Sequence, residues 1–152
     1  MADMLVNLYD LPEIIELEDK SITIKRALAP DAIAIKEFAK VNFNDHWVGE
    51  VEAALSRVNP TCFIAVKDKK VIGFACFEAT APSMFGPTGV HAEYRGLGIG
   101  KVLLLKCLYA LKEIGYPYAI IGSVGAARGF YEKSCNALWL DMFDKSIYSR
   151  MI

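Results

Sequence analysis

The chain has 152 residues, of which 54% are hydrophobic and 23% are charged. This length is typical of one domain, and the apolar content is too high for a disordered chain. Seventeen lysines and arginines against eighteen acidic residues leave a net charge of -1, so no overall field attracts nucleic acid or an anionic membrane. An anionic ligand must therefore be held by a local site.

The acidic residues concentrate at the N-terminus, where residues 1–20 contain six of them against the single Lys20. This bias predicts a solvated or loosely docked acidic extension in front of a domain that spans residues 21–152. A role in binding a partner has no specific motif behind it. Residues 1–20 also lack the basic start of a signal peptide.

The cysteines indicate the redox state of the compartment in which the protein functions. They lie far apart, with no C-x-x-C pair and no histidine at ligand spacing, so we expect free buried thiols in a reducing compartment and no metal site. No stretch approaches the roughly 18 consecutive apolar residues of a membrane span. The sequence predicts a cytoplasmic protein. The four positions are Cys62, Cys76, Cys107 and Cys135.

The first half of the chain predicts one strand, two helices and a hairpin. Residues 22–28 alternate between apolar and polar side chains, which predicts a strand. A helix capped by Asp31 is predicted to run to about residue 42, and a second one has its apolar stripe from Val48 to Val58. Residues 43–47 predict the loop between them. The hairpin is predicted from two apolar runs, residues 62–66 and 71–77, with a polar tip between them.

The second half contains the longest helical pattern, residues 98–114. Gly115 suits the left-handed position that ends a helix, and Pro117 cannot continue it. A looser stretch rich in glycine and proline precedes this region and leads to Val90. The remaining elements are predicted as a strand at residues 118–122, a short helix at 126–134 and a final strand at 137–140.

The segment before the long helix has a glycine at every second position, at Gly96, Gly98 and Gly100. Alternate glycines let backbone amides point into one concavity and let a ligand approach closely. The start of the following helix adds unpaired amides and partial positive charge. With Arg95 and Lys101 beside them, these residues predict a phosphate site.

Other phosphate-binding motifs do not match this segment. In a P-loop, Arg95 would stand at the first glycine and Val102 at the hydroxyl residue that holds magnesium. A dinucleotide fingerprint has a different glycine spacing and lies in an early parallel unit, whereas this segment follows a predicted antiparallel hairpin. A turn that only connects two elements needs neither three alternate glycines nor the flanking arginine.

The pattern R-G-x-G-I-G, after a strand that ends in valine, resembles the coenzyme A pyrophosphate loop of the GCN5-related N-acetyltransferases (GNAT family). FYEKS at residues 130–134 is similar to that family's F-Y-E-K motif, and the order of elements over residues 21–152 is the family's order. The resemblance implies an α/β (α+β) fold with a mixed, mostly antiparallel sheet flanked by helices. It also implies acetyl-CoA as cosubstrate, bound in a cleft between two splayed strands.

The same resemblance implies roles for individual residues. Gly89 and Val90 pair with the pantetheine arm, and one of their amides polarises the thioester carbonyl. Tyr131 is the acid that protonates the departing thiolate. The pyrophosphate is expected on the amides of Gly96, Gly98, Ile99, Gly100 and Lys101, beside Arg95.

The general base departs from the family's pattern, because Gly86 stands where many members have a glutamate, four residues before the valine. The family's asparagine after the fifth strand is also replaced, by Val124. Polar residues near the expected site are the remaining candidates for the base. They are Asp45 and His46, which we favour, together with Glu78 and His91.

The acceptor is expected to lie over residues 43–47. Trp47 is suited either to stacking on a sugar ring or to anchoring the second helix, and both interpretations stay open. Residues 85–90, the glycine motif that follows them and residues 118–133 are similar to acetyltransferase domains found beside amino-sugar hydrolases, which implies glucosamine or a glucosaminide as acceptor. The alternatives are a protein N-terminus or another small amine, or a non-catalytic module that binds acyl-CoA. We expect a monomer or homodimer with no nucleic-acid or membrane partner.

Overall fold

Seven strands form one sheet, and four α-helices connect them. A computed structural model describes all residues 1–152. The strands are β1 (Ala2–Asn7), β2 (Thr23–Arg26), β3 (Cys62–Lys67), β4 (Lys70–Phe77), β5 (Met84–Val90), β6 (Tyr118–Val124) and β7 (Leu138–Trp139). The helices are α1 (Ala32–Asn42), α2 (Asp45–Leu55), α3 (Ile99–Ile114) and α4 (Arg128–Cys135). The spatial order of the strands is β2-β3-β4-β5-β6-β1-β7.

All neighbouring strands run antiparallel except β5 and β6. These two are parallel, and they pair only where Met84 meets Ile120 and Phe85 meets Ile121. Beyond Phe85, β5 has no partner on its β6 side, so the sheet forks. The predicted α/β fold with a mixed, mostly antiparallel sheet and two splayed strands is confirmed.

The core lies on both faces of the sheet because side chains alternate along its central strands. Ala75 and Phe77 belong to a buried cluster that includes the apolar side of α3. Phe74 and Cys76, which alternate with them on β4, pack instead with α1 and α2. The free end of β5 is therefore held between two packed layers.

Helix α3 and the β3–β4 hairpin agree with the prediction from sequence. Gly98 and Gly115 flank α3 with φ angles of +86° and +116°, in the left-handed region that favours glycine. Asp68 and Lys69 form the tip of the hairpin with φ angles of +50° and +61°. Two such residues in succession give the turn type whose twist matches that of paired strands.

Helix α2 begins earlier and ends earlier than its apolar stripe predicts. The side chain of Asn44 caps the helix, since its Oδ1 accepts a hydrogen bond from the Trp47 amide at 3.0 Å. Asp45 and His46, expected in a loop, therefore lie in the first turn of α2. At the other end, Val58 lies beyond the helix and is fully exposed.

The structure corrects the description of the N-terminal residues as a solvated or loosely docked arm. β1 lies inside the sheet, between β6 and β7, and Met4 and Val6 on it are fully buried. Further along, Tyr109 Oη donates a hydrogen bond to the Pro12 carbonyl at 2.8 Å. Five of the six acidic residues of this segment lie at Asp10 or later. The charge bias of residues 1–20 as a whole therefore does not apply to residues 2–7, whose side chains alternate as in a strand.

The substitution Met4→Ala is expected to lower the free energy of unfolding by about 2–5 kcal/mol, because it leaves a cavity in the core. Chemical denaturation measures the change. Ile15→Ala serves as the control, since Ile15 is 75% exposed, and it is expected to cost less than about 0.5 kcal/mol. An unchanged midpoint for Met4→Ala would mean that β1 is not part of the folded sheet.

All four cysteines are buried and form no disulfide, in agreement with the prediction of free thiols. None of the helices combines the length and the apolar character that crossing a bilayer requires.

Candidate active site

The fork between β5 and β6 opens a cleft of about 1070 Å³. Its walls come from α2, the separated parts of β5 and β6, the loop before α3, α4 and the C-terminal turn at Ile147–Arg150. Every residue to which the resemblance assigns a coenzyme contact lines this cleft. These residues are Gly89, Val90, Arg95, Gly96, Gly98, Ile99, Gly100 and Lys101.

The glycine loop (residues 95–101) leads into α3. Two of its three glycines are required by the backbone conformation, and the third is required by the space around it. Gly96 and Gly98 have φ angles of +82° and +86°, which residues with a side chain rarely adopt. Gly100 has no such requirement. A Cβ atom there would lie 3.5 Å from Phe130 Cζ and 3.8 Å from Val90 Cγ2. Its lack of a side chain therefore keeps open the space between β5 and α4.

The backbone amides of the glycine loop are unpaired. Those of residues 96–101 donate no hydrogen bond within the chain, and the first bond of the helix runs from Val102 N to Gly98 O at 3.1 Å. Amides at a helix N-terminus also carry partial positive charge. The loop thus presents a series of free donors at the cleft, which suits a phosphate group.

Two cations accompany these donors. Arg95 Nε donates a hydrogen bond to the Val90 carbonyl at 3.1 Å, which ties its side chain to the end of β5. Neither Arg95 nor Lys101 takes part in any ion pair of the chain. Their positive charges are therefore not neutralised by the protein and favour an anionic ligand.

The edge of β5 that faces the fork offers further backbone groups. The His91 amide bonds to the Ile72 carbonyl at 2.9 Å, which directs it towards β4. Backbone groups alternate in direction along an antiparallel strand, so the amide and carbonyl of Val90 point the opposite way, into the fork. Val90, rather than Gly89, thus presents its amide to a ligand in the cleft.

Gly89 has a packing role next to this edge. A Cβ atom at this position would lie 2.2 Å from Phe43 Cζ, so only glycine lets the Phe43 ring approach β5. Phe43 in turn lies 4.6 Å from Trp47 between ring centroids, and Trp47 lies 6.1 Å from Phe74. Trp47 is thereby anchored in an aromatic cluster while it also lines the cleft.

Tyr131 on α4 is 7% exposed and lines the cleft. Its ring packs edge-to-face against Phe85, with centroids 6.2 Å apart. Burial raises the pKa of the Tyr131 hydroxyl far above its ordinary value. The hydroxyl therefore stays protonated at neutral pH, as a proton donor must.

The structure brings only one of the four candidate bases to the cleft. His46 lines it, whereas its neighbour Asp45 faces solvent outside it. Glu78 lies beside Tyr116, away from the cleft. His91 also lies outside the residues that line it, and its Nδ1 accepts a hydrogen bond from the Glu93 amide at 3.1 Å.

The polar residues that line the cleft and were not singled out from the sequence include Glu50, Thr80, Thr88, Ser123 and Tyr148. A local signal exists for Glu50 alone. It lies four residues after His46 on α2, and the face at spacings of three and four is polar or small, opposite the apolar stripe of the helix. That face, made of His46, Gly49, Glu50 and Ala53, lines the cleft.

Several buried acidic protons predict a loss of stability in alkali. Burial raises the pKa of Cys135 to about 11 and that of Tyr148 to about 12, and it also raises the pKa of Cys107 and Tyr131. Groups with a raised pKa in the folded state stabilise it fully below their unfolded pKa, and this contribution is lost as the pH rises towards the folded pKa. We expect the Tm to fall progressively above about pH 9, where unfolded thiols and then phenols ionise. Circular dichroism melts at increasing pH test this, and a Tm that stays constant into strong alkali would contradict it.

Comparisons with known proteins agree with this geometry. The sequence pattern of the acetyltransferase (GNAT) family matches residues 26–137. No curated protein matches the chain. Among solved structures, the GCN5-related glucosamine N-acetyltransferase region of a fungal multi-domain GH3 beta-N-acetylglucosaminidase aligns with a TM-score of 0.68 and 18% identity, over 91% of this chain and 19% of that one.

Two further structures are similar. A GCN5-related N-acetyltransferase from Sphaerobacter thermophilus has a TM-score of 0.69 and 19% identity, over 95% of this chain and 48% of that one. A GNAT family acetyltransferase from Brucella melitensis, solved with acetyl-CoA, has a TM-score of 0.56 and 22% identity, over 72% of this chain and 80% of that one.

The chain spans less than half the length of the fungal and Sphaerobacter chains. At identities of 18–22%, these solved structures show only that this chain has the same fold. The family pattern goes further, because it covers more than half of the sequence and includes the glycine loop and Tyr131. The chain belongs to the acetyltransferase (GNAT) family.

Proposed function

We propose that the protein transfers the acetyl group of acetyl-CoA to a primary amine by direct attack, and that the acceptor is glucosamine or a glucosaminide. The main support is the glycine loop, where the unpaired amides of residues 96–101 and the unneutralised charges of Arg95 and Lys101 face the cleft. Free donors and positive charge together suit the diphosphate of coenzyme A.

In this proposal the diphosphate binds at the glycine loop, and the pantetheine arm follows the free edge of β5 towards the fork. The Val90 amide donates a hydrogen bond to the thioester carbonyl. A donor placed where negative charge develops is worth roughly 3 kcal/mol in comparable sites. The Val90 amide belongs to a strand that is packed on both faces. The amide is therefore already in position to donate to the thioester carbonyl.

Transfer also requires proton handling. The lone pair of the amine forms the new C–N bond while the C–S bond breaks, and the Tyr131 hydroxyl gives its proton to the departing sulfur. The raised pKa of Tyr131 keeps that proton in place until the thiolate forms.

The acceptor is proposed from the absence of the glutamate that many family members have at the position of Gly86. Gly86 stands where a glutamate is usual, and electron-withdrawing oxygens make the amine of an amino sugar less basic than that of lysine, so it loses its proton more readily. His46 and Trp47 line the cleft, and an indole ring can stack on a sugar. A glucosamine N-acetyltransferase region with the same fold adds to this support, at 18% identity.

A thiol-release screen tests the proposal. Purified protein is incubated with acetyl-CoA and either glucosamine, chitosan oligosaccharides, peptides with free N-termini, lysine peptides or polyamines, and free thiol is measured. We expect release with glucosamine or the oligosaccharides. Release with peptides or polyamines alone would contradict the acceptor and favour a protein N-terminus or another small amine. Saturable binding of acetyl-CoA without release would indicate a non-catalytic binding module.

A further inference from the structure

Three side chains from distant parts of the sequence form a connected polar group in the cleft. Tyr148 Oη donates a long hydrogen bond of 3.4 Å to Thr80 Oγ1, and Thr80 Oγ1 donates one of 2.5 Å to Glu50 Oε1. Glu50 belongs to α2, Thr80 to the loop between β4 and β5, and Tyr148 to the C-terminal turn. We call these three residues the Glu50 cluster.

The Glu50 cluster lies where the two strands separate. A Cβ atom at Gly122 would be 2.6 Å from Tyr148 Cε2 and 2.8 Å from Met84 Cε, so the Tyr148 ring lies directly on β6. Gly122 follows Ile121, the last residue of β6 that pairs with β5. A ligand arm that enters along β5 from the glycine loop ends at this fork.

Glu50 is free to bind a cation there. It is the only acidic residue among those that line the cleft, and it forms no ion pair. Thr80 Oγ1 bonds to Oε1, and Glu50 is also close enough to Tyr148 to raise the pKa of that hydroxyl. No cation of the chain pairs with the carboxylate, so it is suited to a cationic ligand, because charge-assisted hydrogen bonds are the strong ones.

The two other members fix the direction of the hydrogen bonds. Burial raises the pKa of Tyr148 to about 12, so its hydroxyl remains a donor at neutral pH. Thr80 accepts from Tyr148 and therefore directs its own proton to Glu50. The carboxylate is thus held through Oε1, and Glu50 is among the residues that line the cleft.

We propose that Glu50 binds the ammonium group of the acceptor and takes its proton, while Thr80 and Tyr148 position the carboxylate. This inference rests on the acetyl transfer proposed above. It assigns to Glu50 the role of general base, for which Asp45 is a candidate from the sequence. It also favours acceptors that carry a positive charge and a proton that can be removed. Neutral alcohols are expected to bind less tightly than ammonium groups, since they carry no positive charge to pair with Glu50.

The protons balance in this scheme. An ammonium nitrogen loses two protons as it becomes an amide. Glu50 takes the first, which frees the lone pair that forms the C–N bond, and releases it to solvent. The second leaves the nitrogen as the C–S bond breaks and restores the proton that Tyr131 gives to sulfur. The products are the amide, the free thiol and one solvated proton.

Steady-state kinetics of Glu50→Gln test the inference, with the amine that the wild-type protein acetylates fastest in the thiol-release screen. Glutamine keeps the size and the bond from Thr80 but removes the charge. We expect kcat/KM for the amine to fall roughly 10–100-fold, the range for losing a hydrogen bond to a charged group. The KM for the amine should rise because the charge that binds the ammonium is lost, and kcat should fall because the proton acceptor is lost. The KM for acetyl-CoA is expected to stay unchanged.

Two further variants separate charge from structure. Glu52→Gln is the matched control, because Glu52 lies on the same helix, is 64% exposed and pairs with Lys36. It is expected to match the wild type. Thr80→Val is expected to raise the KM for the amine several-fold, and Thr80→Ser, which retains the hydroxyl, is expected to restore it.

The outcomes distinguish this inference from the proposed function. Wild-type kinetics in Glu50→Gln would overturn the role of Glu50 and leave acetyl transfer intact. A loss shared equally by the amine and acetyl-CoA would also overturn it, because it would indicate a general disturbance of the cleft. If the wild-type protein acetylates no amine, the proposed function fails, and this inference fails with it.

Discussion

Replacing Gly100 by leucine is expected to weaken acetyl-CoA binding roughly 100-fold, or about 2.8 kcal/mol. The new side chain would point between Phe130 and Val90, into the space at the start of α3 that we propose for the coenzyme. The fold should tolerate the change, since position 100 has no left-handed backbone angle and leucine favours a helix over glycine by roughly 0.8 kcal/mol. Isothermal titration calorimetry measures the affinity.

Gly129→Leu is the matched control for Gly100→Leu. Gly129 lies in α4, outside the cleft, and a Cβ atom there would meet nothing within 4 Å. It is expected to bind acetyl-CoA as the wild type does. Gly98 is a less suitable position, because its φ of +86° would add backbone strain to any steric effect. Wild-type affinity in a folded Gly100→Leu would contradict the coenzyme site.

The second large effect is expected for Tyr131→Phe, which should lower kcat by roughly 100- to 1,000-fold, within the range for removing a general acid. Phenylalanine keeps the packing against Phe85 and Phe130, whose centroids lie 6.2 Å and 5.2 Å from that of Tyr131. The affinity for acetyl-CoA should therefore change little. Turnover and binding are measured separately, by thiol release and by calorimetry.

Tyr118→Phe provides the comparison for Tyr131→Phe, since Tyr118 is 48% exposed on β6 and does not line the cleft. It should leave both turnover and binding unchanged. If Tyr131→Phe turned over acetyl-CoA at the wild-type rate, the tyrosine hydroxyl would have no part in protonating the sulfur.

Elements with local chemical signals could be predicted from sequence, and elements formed by distant pairing could not. The ends of α3 follow from Gly98, Gly115 and Pro117, each of which restricts the backbone by itself. β5 has glycines and a proline in place of a strand pattern, and it becomes a strand because it pairs with β4. β1 was missed because the acidic residues that follow it dominate the composition.

The same distinction holds for the candidate site. The glycine loop and Tyr131 belong to short continuous motifs, so they can be singled out from the sequence, and they line the cleft. Glu50, Thr80 and Tyr148 come from three separate segments, and only the folded chain brings them into contact. Asp45 and His46 are both predicted in a loop, whereas α2 begins at Asp45, three residues before Val48. Successive residues on a helix differ by about 100° in direction, so only His46 of the two lines the cleft.

The position of β1 has a consequence for how the cleft opens. β6 is held along its outer edge by antiparallel pairing from Ala2 to Asn7, and the Asp3 carboxylate accepts a hydrogen bond from the Ser123 amide at 2.8 Å. β6 is therefore restrained from swinging inward to close on β5. The two strands are separated when the chain folds, so the cleft is preformed before a ligand binds. Substitutions in β1 should consequently alter ligand affinity, although β1 does not contact the ligand, because they change how well the cleft is preorganised.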